Sequence, residues 1–194
     1  MRLIPSILIP PVLIGCVCTA DNRTASEFES SATIQEAPDG TTLIATVNPP
    51  LRIGAVREKE VEQHSIRARI HKKTGEKNFE LFERISYKGD RPKGFESVEF
   101  QTPAGIQKRT LKVLKREQHC GQYRSGLVCT QLEVLSVPLD ESSLRSVSNS
   151  QLGGNSLAVH FMTQSGEQYV VRTPTAELAA LLKKVDDYLG LARQ

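Results

Sequence analysis

From Thr41 onward the apolar positions recur at every second residue, the signature of strands with one buried face. Thr42 to Val47 and Leu51 to Val56 read as two strands separated by Asn48-Pro49-Pro50, a turn whose prolines cannot donate to a ladder. Ile66-Arg67-Ala68-Arg69-Ile70-His71 alternates cleanly, placing apolar groups on one face and two arginines and a histidine on the other. Phe79 to Tyr87 reads as a longer strand, Lys88 to Gly94 as a loop, Phe95 to Thr102 as the next strand and Pro103-Ala104-Gly105 as a turn. Leu111 to Leu114 leads into Cys120, and Val128 to Val137 leads out of Cys129. The pattern to this point predicts a meander of antiparallel strands.

Beyond Val137 the period changes. Pro138-Leu139-Asp140 stops the strand, and Asp140 is placed to cap a short helix near 140–149 that carries Leu144 and Val147. Gly153 to Ser156 is a loop, after which Leu157, Val159 and Phe161 share a face; Ser165-Gly166 then turns the chain back through Tyr169-Val170-Val171 as a hairpin. Thr173 as N-cap and Pro174 at the first helical position open a final helix, with Gly190 able to end it. Leu178, Leu181, Leu182, Val185 and Leu189 form one stripe along that helix, and its outer face mixes Lys183 and Lys184 with Asp186 and Asp187. The sum is a single α+β domain over 32–194, mainly antiparallel sheet, meander or sandwich-like, with the C-terminal helix packed on it.

The N-terminus follows a different rule. Met1-Arg2 is followed by an almost unbroken apolar run from Leu3 to Ile14, with a small-residue cleavage pattern after it. Twelve residues rise about 18 Å as a helix, well short of a hydrocarbon core of roughly 30 Å. Leu13-Ile14-Gly15-Cys16 resembles the lipobox of bacterial lipoproteins. That resemblance implies a signal peptide over 1–15, diacylglycerol on the Cys16 thiol and a chain anchored by lipid in the cell envelope. Val17 after the cysteine points to the outer membrane, facing the periplasm. A rival cut after Cys18-Thr19-Ala20 would release a soluble secreted protein instead. Residues Thr19 to about Ser31 are rich in Ser, Thr, Ala, Asp and Glu, with Phe28 their only large apolar group, and 16–31 reads as a lipidated flexible tether. The Tyr87 loop, the cysteine pair and the hairpin with its helix also resemble small uncharacterised proteobacterial lipoproteins, a resemblance that implies no activity.

Export puts the rest of the chain in an oxidising compartment, where Cys120 and Cys129 are expected to staple a hairpin as a disulfide. A metal site on His119, Cys120 and Cys129 lacks the remaining ligand spacing, so no metal or other cofactor is expected. Cys18 is left over, unpaired in the tether or available to join two chains. An apolar content of 39% and a charged content of 24% exclude a disordered tail and a multi-span membrane protein. With no Trp and 5% aromatics, little is available for stacking on bases or sugars, and export separates the chain from nucleic acid.

The net charge of +3 hides a strong asymmetry. Residues 52–124 hold eighteen basic and ten acidic residues, whereas the segments on either side are net acidic. One reading is the solvated outer faces of a sheet, with lysines protecting its edges. The other is a surface for an anionic partner in the envelope: lipid headgroups, lipopolysaccharide phosphates or an acidic protein. Its candidate contacts are Arg67, Arg69, Lys72, Lys73, Lys108, Arg109, Lys112, Lys115 and Arg116. No nucleophile elbow, phosphate loop, dinucleotide fingerprint or zinc-protease motif is present, and the four histidines stand far apart. A tethered, non-enzymatic binding or accessory protein is therefore the leading expectation. A small-ligand or lipid carrier with its pocket between sheet and C-terminal helix comes second, and a hydrolase third.

Overall fold

A computed structural model describes residues 23–47, 52–53, 61–123, 126–150 and 155–191. The apolar leader, Cys16, Cys18, the Asn48 to Pro50 turn, the strand expected beyond Ile53 and Gly153-Gly154 lie outside the described residues. The elements run α1 (Ala25–Ser31), β1 (Ala32–Glu36), β2 (Thr42–Val47), β3 (Arg52–Ile53), β4 (Val61–His71), β5 (Lys77–Lys88), β6 (Phe95–Thr102) and β7 (Gly105–Thr110). They continue through β8 (Lys112–Tyr123), β9 (Gly126–Leu139), α2 (Glu141–Asn149), β10 (Ser156–Thr163), β11 (Gln168–Pro174) and α3 (Thr175–Leu191). This is an α+β fold, mainly antiparallel sheet with the C-terminal helix packed on it.

The strands form two sheets rather than one meander. A seven-stranded sheet has the order β1-β2-β4-β5-β9-β8, with the short β3 also on β4, and a four-stranded sheet has the order β11-β10-β6-β7. The chain passes between them three times, from β5 to β6, from β9 through α2 to β10, and most tightly at Thr110-Leu111-Lys112, where β7 ends one sheet and β8 begins the edge of the other. The inward rows follow from the alternation. Ile66, Ala68 and Ile70 of β4, Phe79, Leu81 and Ile85 of β5, and Leu135 and Val137 of β9 are all buried in one core with Val98, Phe100, Val159 and Phe161 of the small sheet. Gly75, at φ 68°, closes the tight β4–β5 turn in a conformation that a Cβ would strain.

α3 lies across β1, β2 and β4 on this inner side and touches β11 at the edge of the small sheet. Leu178, Leu181, Leu182 and Val185 are all buried, and Leu189 packs partly against them, so the stripe read from the sequence is the contact face. Each such side chain contributes about 2 kcal/mol of burial. α2 buries Leu144 and Val147 in the core and is tied to its neighbours by charges: Arg145 Nη2 donates to both carboxylate oxygens of Asp186 in α3, at 2.7 and 2.9 Å, and Glu141 accepts from Lys77 of β5 at 2.7 Å. Burial alone would raise Glu141, but the hydrogen bonds from Lys77 and Arg145 hold its carboxyl below the usual range.

Four local expectations are corrected. Residues 25–31, assigned to the tether by composition, form α1: Thr24 and Glu27 make a reciprocal capping box, and Phe28 is fully buried. Asp140 stands at the N-cap of α2 without a side-chain cap bond, because its carboxylate pairs with Arg109. Thr173 and Pro174 belong to β11, and α3 starts at Thr175. Gly190 lies within α3, which continues to Leu191. Among the described residues no helix is long and apolar enough to cross a membrane.

Candidate functional site

With Ile66, Ala68 and Ile70 turned inward, period two forces Arg67 and Arg69 onto the outer face of the large sheet. Glu80, Phe82, Arg84 and Lys88 of β5 share that face, as do Val134, Ser136 and Pro138 of β9 and Lys112 and Lys115 of the β8 edge. Glu80 is its organising carboxylate. It accepts from Arg67 Nε at 2.6 Å and from Ser136 Oγ at 2.6 Å, and Arg69 lies 3.9 Å away. The Arg67 guanidinium also sits 4.1 Å over the Phe82 ring, so its charge is held between a carboxylate and a π face. Lys115 pairs with Glu117 at 2.8 Å, and that hydrogen bond is the main cause of a lowered Glu117 carboxyl. Lys112, Arg84 and Lys88 have no carboxylate partner among the described residues.

A groove of about 510 Å³ opens on this face where the chain crosses between the sheets. Arg69, Asn78 and Glu80 form one side, Ser136 and Pro138 of β9 another, and Thr110, Leu111 and Lys112 the third. Arg69 and Lys112 thus come from strands far apart in sequence to the rim of one concavity.

The other predicted contacts scatter. Lys72 pairs with Glu36 at 2.7 Å, and Lys73 stands exposed in the β4–β5 turn. Lys108 faces outward on β7 and pairs with Glu99 at 3.0 Å, while Arg109 takes the inward row of the same strand and reaches Asp140. Arg116 lies on the inner side of β8, opposite Glu133, and donates to it at 2.9 Å. Of the nine, four share the outer face of the large sheet. Arg84 and Lys88 belong with them, and continuing the alternation of Phe79 to Tyr87 would have found both.

Among the described residues one buried polar network ties a loop to the large sheet and another joins the two sheets. Tyr87 donates to Glu133 at 2.5 Å and accepts from the Lys93 backbone N–H at 2.5 Å, which pins the 89–94 loop onto the sheet. Burial, reinforced by the bond to Glu133, raises the Tyr87 hydroxyl well above its ordinary pKa. Beside this network Cys120 and Cys129 face each other across β8 and β9 and are joined as a disulfide. The second network was invisible in the sequence: His64 Nδ1 lies 2.7 Å from Glu83, and its Nε2 lies 2.6 Å from the Thr173 hydroxyl. Hydroxyl, imidazole and carboxylate stand in the order of an acyl-transfer triad. All three are sealed, with Thr173 and Glu83 at 0% exposure and His64 at 2%, and none lines the groove. What this arrangement does is clasp β4 and β5 of one sheet to β11 of the other. Among the described residues no cluster of three His, Cys, Asp or Glu side chains could hold a metal ion.

No protein-family model matches the chain, and neither the curated proteins nor the solved structures contain a match.

Proposed function

We propose that this chain is a non-enzymatic binding protein of the bacterial envelope, held by lipid on Cys16, that meets an anionic partner through the outer face of its seven-stranded sheet. One observation carries the reading. Arg84, Lys88 and Lys112 share that face without a carboxylate partner among the described residues, and Arg69 shares Glu80 with Arg67 and Ser136. Cations that are not neutralised locally project their field into solvent, raising encounter rates with anions and disfavouring basic partners. The carrier reading draws no comparable support, because Leu178, Leu181, Leu182 and Val185 fill the sheet–helix interface and the groove lies on the opposite face.

Retention of the detergent-solubilised, full-length protein on an immobilised polyanion tests this reading. The wild type is expected to elute at clearly higher salt than a variant carrying Arg69→Gln, Arg84→Gln, Lys88→Gln and Lys112→Gln. Co-elution of the two would remove the basic face from consideration.

A further inference from the structure

We infer that the groove between Arg69 and Lys112 is a subsite for a phosphate ester, the point at which the basic face stops being diffuse and becomes specific. This rests on the basic-face reading and narrows it to one ligand chemistry. Glu80 already accepts 2.6 Å hydrogen bonds from Arg67 and from Ser136, one on each oxygen, so its charge is largely spent inside the protein. Arg69, 3.9 Å away and 44% exposed, keeps most of its five donors for whatever enters. Lys112 closes the opposite rim with a compact ammonium that has no carboxylate partner among the described residues.

An anion in the groove therefore meets a planar fork on one side and a point charge on the other. A tetrahedral phosphate presents oxygens in both directions and satisfies the two together, whereas a planar carboxylate spends both oxygens on one fork. Asn78 and Thr110, whose side chains carry an amide and a hydroxyl, line the same opening. Leu111 and Pro138 give the organic arm of an ester an apolar wall. A volume of about 510 Å³ admits a phosphate with such an arm. The ester could be a soluble metabolite or a phospholipid headgroup; the recognised chemistry is the same.

The test titrates full-length, detergent-solubilised protein with glycerol 3-phosphate, and with monomeric short-chain phosphatidylglycerol against short-chain phosphatidylcholine, which offer no bilayer for the lipid on Cys16 to enter. Arg69→Gln and Lys112→Gln are each expected to weaken binding at least tenfold. Arg84→Gln and Lys88→Gln, on the same face but outside the groove, are expected to weaken it only about two- to threefold, through the field of the face alone. Binding of glycerol 3-phosphate alone would assign a soluble ester, and binding confined to phosphatidylglycerol a headgroup; either supports the subsite. Equal losses from both pairs would overturn the subsite and leave the basic face standing. No binding of any phosphate probe at low salt overturns the subsite too. If retention on the polyanion is also lost, the basic-face reading falls with it.

Discussion

His64 shows how much one side chain carries when it is fully enclosed. Its ring bridges Glu83 of β5 and Thr173 of β11, so His64→Ala removes a partner from two buried polar groups at once. A loss of about 3 kcal/mol is expected, read as a shift in the chemical denaturation midpoint. Tyr87 carries a pH signature instead. Its hydroxyl keeps its proton in the folded protein above the ordinary value of 10.0 at which the unfolded chain loses it. Folded stability from this group is therefore complete below pH 10 and declines as the pH rises past it. Tyr87→Phe should lower stability at neutral pH and flatten that alkaline decline; an unchanged decline would show that another group causes it. Neither network was legible in the sequence, because His64 lies 19 residues from Glu83 and 109 from Thr173, and no local spacing encodes such contacts. Thr173 was read as a helix cap for the same reason: beside a proline, its hydroxyl gives the cap pattern whether or not the fold has another use for it.

Elements were far more legible than side-chain contacts. Period two located β2, β5, β6 and the β10–β11 hairpin, and the leucine stripe located the buried face of α3, because each pattern is generated locally by one buried face. What escaped was which strands belong to which sheet, which depends on crossovers such as the one at Leu111, and α1, whose polar composition concealed the anchoring of one residue. Phe28 is fully buried against the core, Lys183 of α3 reaches Glu29 at 2.5 Å, and the capping box fixes the entry of the helix. Phe28→Ala should release α1 at a cost of about 3 kcal/mol, seen as rapid amide exchange and new protease cleavage within 25–31. Protection of those amides as in the wild type would mean that the capping box and the surface ion pair suffice. The Cys120–Cys129 disulfide ties the β8 edge to β9 across a short loop. Its reduction should cost about 2–3 kcal/mol in the chain-entropy account, measured as a lowered denaturation midpoint, with an intact-mass gain of about two hydrogens.

On the scale of the whole molecule, the fold sorts charge that the sequence only concentrates. Eighteen basic residues lie between 52 and 124, yet pairing with Glu36, Glu99, Asp140 and Glu133 takes up Lys72, Lys108, Arg109 and Arg116. The composition therefore locates the region richest in cations while overstating how many of them stand without a carboxylate partner among the described residues. What remains on the outer face is a smaller set, arranged around Glu80 and the groove. Among the described residues α3 and the apolar rows of the small sheet pack on the other side of the large sheet. Site-specific photo-crosslinking in living cells tests the claim most directly, with the reactive residue placed at Arg84 on the basic face or at Gln168 on β11 of the small sheet. The account predicts adducts from position 84 that disappear when Arg69 and Lys112 are replaced by glutamine, and none from position 168. Adducts from position 168 with none from position 84 would contradict it.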